Sequence, residues 1–122
     1  MLCETRLARW ESAPLLWKIA DFQSNAALVI GSGTRAWRAI DFAAQRVSLL
    51  VNDRVVRDAV GSHPAKDPSL LLPWMLQHCA RRGGLEAGDI VTTGSWMGIV
   101  AVRPGDDIVA RFSGIGEARL RL

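Results

Sequence analysis

A β-hairpin signal in the middle of the chain restricts its fold more than any other feature. Two arms rich in β-branched residues, Arg46–Val51 and Arg54–Val60, flank the dipeptide Asn52-Asp53. A two-residue loop of this kind favours a tight turn between antiparallel strands. Near the C-terminus, apolar residues stand at every second position along residues 108–112 and 118–122, which is typical of strands with one buried and one solvent-exposed face. The chain is therefore predicted to be rich in strand.

Further strands are predicted outside the hairpin. Asn25–Ile30 is a compact apolar run closed by a Gly-Ser-Gly turn, and it is predicted to be a buried strand. Asp89–Thr93 and Met97–Val102 are predicted to be strands separated by Gly-Ser-Trp, and a short helix is possible around residues 15–22.

One main helix is predicted over about residues 68–82. Asp67 followed by proline is a helix-start signal, because an acceptor side chain precedes a residue with preset φ. Leu71, Met75 and Cys79 recur every four residues and give this helix an apolar face to bury. The predicted fold class is α+β and mostly β, with residues 1–122 as a single domain.

Composition limits the classes of partner. The 122 residues are 49% hydrophobic and 22% charged, as in globular domains. No apolar run reaches the length of a membrane span and no signal peptide is recognised, so a soluble, cytoplasmic protein without a membrane partner is predicted. Cys3 and Cys79 are expected to be free thiols, with a disulfide as the alternative. The net charge of +3 comes from dispersed arginines rather than a patch, which argues against a nucleic-acid partner.

The segment Asp89–Gly98 carries the clearest chemical signal. A strand that ends in Thr-Thr-Gly-Ser places hydroxyls and backbone N–H groups at its tip, where Thr93, Gly94 and Ser95 could bind a carboxylate. A turn of small residues without a ligand is the alternative. His63 could act as a general base, but a histidine with no evident partner is more often incidental.

Six motifs stand in a fixed order along the chain. They are Glu4-Thr-Arg6 with Trp10, Ala20-Asp21-Phe-Gln-Ser24, Leu85-Glu-Ala-Gly-Asp89, Thr92-Thr-Gly-Ser95, Pro104-Gly-Asp106 and Phe112-Ser-Gly-Ile-Gly116. Together they resemble the C-terminal half of the 2-keto-4-pentenoate hydratase family, within the fumarylacetoacetate hydrolase superfamily. The resemblance covers essentially the whole chain and is strongest over residues 61–122.

The resemblance implies an incomplete fumarylacetoacetate hydrolase-like mixed β-sheet roll and a lyase chemistry. Members bind Mg²⁺ or Mn²⁺ through carboxylates, and the metal chelates the 2-oxo and carboxylate oxygens of a 2-oxo or 2-hydroxy-2,4-dienoic acid of aromatic meta-cleavage catabolism. Hydratases then add water, whereas the similar 4-oxalocrotonate decarboxylases release CO₂. By the same resemblance, Thr93, Gly94 and Ser95 would hold the substrate carboxylate, and Ser24 would line the pocket.

The departures from the family pattern concern the metal. The family's Glu-x-Glu pair and its proton-transfer lysine and acid lie in an N-terminal half that this sequence does not match. A third glutamate ligand would fall on Met1 if Glu4 stands for the motif's aspartate, whereas a two-residue slip would make Glu4 itself the candidate ligand. Phe22 also replaces the family's asparagine. Mg²⁺ or Mn²⁺ is therefore implied by the family but not expected to bind this chain alone.

Three interpretations stay open. The chain is a truncated or split hydratase-like lyase that is inactive alone and needs a complementary N-terminal subunit or a homo-oligomer. Alternatively, it is a non-catalytic partner or assembly subunit that pairs through exposed strand edges. In the third interpretation the true start lies upstream and the protein is full length.

Overall fold

Strand outweighs helix in the computed structural model, which describes residues 1–122. The predicted fold class, α+β and mostly β, is confirmed. The strands are β1 (Leu2–Cys3), β2 (Asn25–Ala27), β3 (Arg46–Val51), β4 (Arg54–Val60), β5 (Asp107–Phe112) and β6 (Gly116–Arg121). The helices are α1 (Leu15–Ala20) and α2 (Leu72–Ala80), with 3₁₀ turns at Trp10–Ser12, Phe22–Ser24, Trp37–Ala39, Phe42–Ala44 and Pro68–Leu71.

The strands form two sheets in which every pairing is antiparallel, whereas the family resemblance implies a mixed sheet. The larger sheet has the order β4-β3-β5-β6, and the smaller one pairs β1 with β2. The predicted hairpin is confirmed, with Val51 opposite Arg54. Asn52 and Asp53 have φ of 50° and 61°, the positive values that a two-residue hairpin turn requires.

Side-chain contacts hold the hairpin in place. The Asn52 side chain donates a hydrogen bond to Asp106 at 2.7 Å and accepts one from the Asp107 N–H at 3.0 Å, which ties the turn to the start of β5. Across β3 and β4, Asp58 accepts hydrogen bonds from Arg46 and Ser48. These bonds, chiefly those from Arg46, lower the pKa of Asp58 to about 2.

The hydrophobic core is small. Val47 on β3 and Val109 on β5 are buried on opposite faces of the larger sheet, and Pro68 is the other buried apolar residue. The chain exposes 9308 Å², whereas a compact protein of 13.3 kDa exposes about 6,500 Å². The difference, roughly 2,800 Å², shows that the chain is less compact than usual, and its exposed side chains include large apolar ones such as Leu16, Trp17 and Trp74.

Two predicted strands do not form. Asp89–Thr93 and Met97–Val102 are irregular, and residues 90–102 take part in no backbone–backbone hydrogen bond. A strand exists only where a neighbour supplies its ladder, and no other segment of the chain pairs with these residues. The prediction of strands at these positions was therefore wrong for the chain by itself.

The predicted buried strand Asn25–Ile30 is shorter than expected, because β2 ends at Ala27, and the prediction of burial is wrong, because all three residues of β2 are exposed. Farther along, the chain passes close to β6, where the Ser32 N–H donates to the Glu117 carbonyl at 2.9 Å. A Cβ on Gly31 would lie 2.1 Å from that same carbonyl oxygen. Only glycine permits this approach, so the Gly-Ser-Gly turn acts as a contact with the sheet edge.

The predicted helix over 68–82 is divided into a 3₁₀ turn and the shorter α2. Asp67 caps it as predicted, accepting a hydrogen bond from the Ser69 N–H at 2.8 Å. The predicted burial of its apolar face is wrong: Leu71 is exposed, and α2 has no buried residue. Met75 and Cys79, on the same face, are only half-buried. Neither helix is long and apolar enough to cross a membrane.

Candidate functional site

The loop Thr92–Ser95, here called the TTGS loop, offers unused hydrogen-bond donors. The backbone N–H groups of Thr93, Gly94 and Ser95 donate no hydrogen bond to any carbonyl of the chain. Gly94 has a φ of 114°, which a residue with a side chain rarely adopts. The Ser95 hydroxyl is engaged locally, accepting from the Gly98 N–H at 2.9 Å. The loop can therefore donate to an acceptor that the chain does not supply.

The buried side chain of His63 contacts the backbone of the TTGS loop. Its ring is 4% exposed, and its Nε2 lies 2.9 Å from the Thr93 carbonyl oxygen. The Ala65 N–H donates to its Nδ1 at 3.1 Å. Both ring nitrogens are thus used within the protein, so His63 is a structural contact of the candidate site and not an incidental loop residue.

Aromatic contacts connect the same loop to the larger sheet. The His63 ring packs on Trp96 with centroids 5.2 Å apart. Trp96 meets Phe112, at the end of β5, edge to face at 5.8 Å. Such aromatic pairs add stabilisation beyond the area that they bury, so the loop is anchored to β5 although it forms no strand.

The two N-terminal motifs meet in a second polar cluster around Asp21. The buried Asp21 carboxylate accepts a hydrogen bond from the Thr5 hydroxyl at 2.7 Å and pairs with the Arg6 guanidinium. Arg6 also donates to the Asp21 carbonyl at 2.9 Å. The Thr5 hydroxyl above all, and then Arg6, lower the pKa of Asp21, against an opposing effect of burial. The carboxylate is therefore held ionised and fully partnered.

Ser24 belongs to this second cluster. Its backbone carbonyl accepts from the Glu4 N–H at 2.9 Å, and its φ is 63°. Its hydroxyl is buried without a hydrogen-bond partner, which is costly unless a ligand or another group supplies one. No hydrogen bond joins Ser24 to Thr93, Gly94 or Ser95, so three of the four predicted site residues lie together and Ser24 lies in the other cluster.

The donor set of this chain does not fit a divalent metal ion. No group of three or more His, Cys, Asp or Glu side chains is arranged to hold one. The Asp21 carboxylate is occupied by Thr5 and Arg6. Glu4, the candidate from the sequence, is exposed and brings one carboxylate, whereas Mg²⁺ and Mn²⁺ need an assembled set of oxygen ligands.

The sequence suggested a general base or an incidental residue at His63 and missed its structural contact with the TTGS loop. Its partner, Thr93, is 30 residues away, and no spacing rule connects a loop histidine to a carbonyl at that distance. The position of His63 at the exit of a predicted strand was the only local signal.

Comparison with known proteins identifies the family to which the chain is similar. Residues 5–122 match the family described as fumarylacetoacetate (FAA) hydrolase C-terminal. The 2-keto-4-pentenoate hydratase of Burkholderia vietnamiensis is 31% identical over 102 residues, which is 83% of this chain and 39% of that protein. The 4-oxalocrotonate decarboxylase of Pseudomonas putida is 28% identical over 108 residues, 88% of this chain and 41% of that protein.

Solved structures agree. The decarboxylase from Pseudomonas putida complexed with magnesium and adipate superposes with a TM-score of 0.74 at 26% identity, covering 98% of this chain and 45% of the other. The same enzyme complexed with calcium and acetate gives a TM-score of 0.72 and covers 87% and 41%. The chain thus spans less than half the length of the relatives that it matches. By sequence and by fold, the chain belongs to the fumarylacetoacetate hydrolase C-terminal family.

Proposed function

We propose that this chain is the carboxylate-binding part of a hydratase-like lyase acting on a 2-hydroxy-2,4-dienoic or 2-oxo acid of aromatic meta-cleavage catabolism. The observation that carries the proposal is the TTGS loop, whose free N–H donors are anchored by a buried histidine. The hydratase and decarboxylase names of the relatives support the reaction class. The proposal takes residues 1–122 as one domain and places it in the cytoplasm, where its two free cysteines would stay reduced.

In this proposal the chain's own residues bind and orient the acid. The Thr93 hydroxyl and the N–H groups of Gly94 and Ser95 would donate to the substrate carboxylate, which has room for several donors. Ser24, with its unpartnered hydroxyl, would line the same pocket once a further polypeptide segment brings the two clusters to one substrate.

The metal requirement assigns a role to another polypeptide segment. Because this chain's side chains do not fit a divalent ion, we propose that the carboxylates for Mg²⁺ or Mn²⁺ come from a complementary N-terminal segment or subunit, or from a second copy. The magnesium and calcium in the solved relatives support a metal-dependent family. On this proposal the isolated chain is inactive.

A second candidate function is a non-catalytic partner or assembly subunit of such an enzyme. The observation that favours it is the large exposed apolar area, to which α1 and α2 both contribute. Apolar surface of this extent marks an interaction site. The two candidates differ in one respect: only the first requires the TTGS loop to bind a carboxylate.

Binding of adipate tests the first candidate. Adipate would be titrated into the ¹⁵N-labelled chain, and the amide shifts of Gly94 and Ser95 would be followed. Because a hydrogen bond to a charged group contributes about 1.5–3 kcal/mol, Thr93→Val should weaken binding about tenfold or more. The control Ser113→Ala, at an exposed position where only the backbone makes hydrogen bonds, should change nothing. Shifts confined to other residues, or equal affinity of Thr93→Val, would refute the first candidate.

A further inference from the structure

The protonation pattern of His63 is fixed by its two partners. The Ala65 N–H donates to Nδ1, so Nδ1 must present a lone pair and carry no proton. The neutral ring then carries its proton on Nε2, where it donates to the Thr93 carbonyl at 2.9 Å. His63 is therefore assigned as the neutral Nε2–H tautomer.

This hydrogen bond also sets the direction of a donor in the TTGS loop. The Thr93 carbonyl and the Gly94 N–H belong to one planar trans peptide unit, in which the two groups point in opposite directions. The chain contains no cis peptide bond. When His63 holds the carbonyl, the Gly94 N–H must point away from the imidazole ring, and that N–H has no partner in the chain.

Two further contacts limit the freedom of the loop. A Cβ on Gly94 would lie 3.5 Å from His63 Nε2, so the loop backbone rests directly on the ring. Trp96 packs on the same ring and on Phe112. The imidazole thus contacts both the loop backbone and the Trp96 side chain that anchors the loop to β5.

We propose that His63 is the positioning residue of the TTGS loop, which aims the free Gly94 N–H at the substrate carboxylate. The role of the carboxylate depends on the function proposed above, but the fixing of the loop does not. His63 does not touch the reacting atoms in this assignment. It acts through the Thr93–Gly94 peptide unit as a neutral hydrogen-bond donor.

Three substitutions separate this role from simple packing. The amide nitrogen of glutamine can occupy the place of Nε2, so His63→Gln keeps the donor to Thr93. Asparagine can replace the Nδ1 acceptor but is too short to reach Thr93, and His63→Leu fills the space without any polar group. All three variants of the full chain would first be compared by circular dichroism. The wild-type tautomer, read from its ¹⁵N ring shifts, needs no variant.

The expected results concern loop order and affinity. The Gly94 amide should have an order parameter of about 0.85 in the wild type and His63→Gln, and below about 0.6 in His63→Asn and His63→Leu. Adipate binding should weaken about tenfold in the same two variants and stay within about twofold in His63→Gln.

Each remaining outcome decides one claim. An Nδ1–H tautomer in the wild type, or equal loop order in all variants, would overturn the proposal. A loop that depends on His63 in a wild type that binds no adipate would support the positioning role and refute the proposed function instead.

Discussion

The exposed apolar face of α1 gives the sharpest prediction about association. Leu16 is 75% exposed, and Trp17 and Ile19 on the same six-residue helix are also exposed. If this face contributes to an interface, burying the leucine side chain stabilises the complex by about 1.5–3 kcal/mol. Leu16→Lys removes that contribution and adds the cost of desolvating a charge.

The expected magnitude differs between monomer and complex. Since about 1.4 kcal/mol corresponds to tenfold in a dissociation constant, Leu16→Lys should weaken association by at least about tenfold. The monomer itself should change by no more than about 0.5 kcal/mol, as is usual for an exposed position. The roughly 2,800 Å² of excess surface is comparable to the area of obligate interfaces, so a stable complex is expected.

Sedimentation velocity over a concentration series measures this effect. The wild type should associate with increasing concentration, and Leu16→Lys should shift the transition to higher concentration. Ser113→Lys, which adds the same charge at an exposed polar site, serves as the control. A wild type that stays monomeric throughout and melts in a sharp, concentration-independent transition would refute the reasoning.

Three further predictions concern stability and are checked by thermal melts. Gly61→Ala should lower the free energy of unfolding by at least about 2 kcal/mol, because φ is +58° and the new Cβ would lie 2.0 Å from a carbonyl oxygen. In the control Gly33→Ala, the new Cβ meets no atom within 4 Å, so the stability should hardly change. Val47→Ala should lower the free energy of unfolding by about 2 kcal/mol, since Val47 is fully buried. Its control Val55→Ala, at an exposed site, should lower it by less than about 0.5 kcal/mol. Equal losses within the glycine pair or within the valine pair would contradict the packing described. The pKa of Asp58 is lowered to about 2, so its pairing stabilises the fold fully above the unfolded pKa near 4, and this stabilisation is lost as pH falls from about 4 to about 2. Asp58→Asn should flatten the dependence of the melting temperature on pH in that range. An unchanged dependence would count against the pairing.

Local sequence signals predicted the larger sheet. The Asn52-Asp53 turn chemistry and the alternation along β5 and β6 determine these strands with information that lies within a few residues. Asp67 marked the helix start for the same reason, since capping is a contact between near neighbours.

The failures have a common physical cause. Residues 90–102 have a strand-like pattern but make no backbone–backbone hydrogen bond, and the apolar stripe of α2 has no fully buried residue. Strand pairing and helix burial depend on what lies opposite, which a local pattern does not contain. The sequence therefore predicted what these segments can form with a neighbour, and the structure reports what they form without one.

The candidate site could be predicted in part. The free hydrogen-bond donors of Thr93, Gly94 and Ser95 were expected from their residue types. The burial of His63 and the hydrogen-bonded Asp21 cluster depend on contacts between distant segments. Sequence spacing could not show that Ser24 lies in the Asp21 cluster, because its position depends on tertiary packing.

Lyase turnover is the measurement that tests the central claim most directly. The chain would be assayed with 2-hydroxypenta-2,4-dienoate and Mg²⁺, alone and together with the part of the Burkholderia hydratase that it does not match. We predict no turnover by the chain alone, and turnover in the mixture that falls with Thr93→Val but not with Ser113→Ala. Robust turnover by the isolated chain, or a mixture that is equally active with Thr93→Val, would contradict the account.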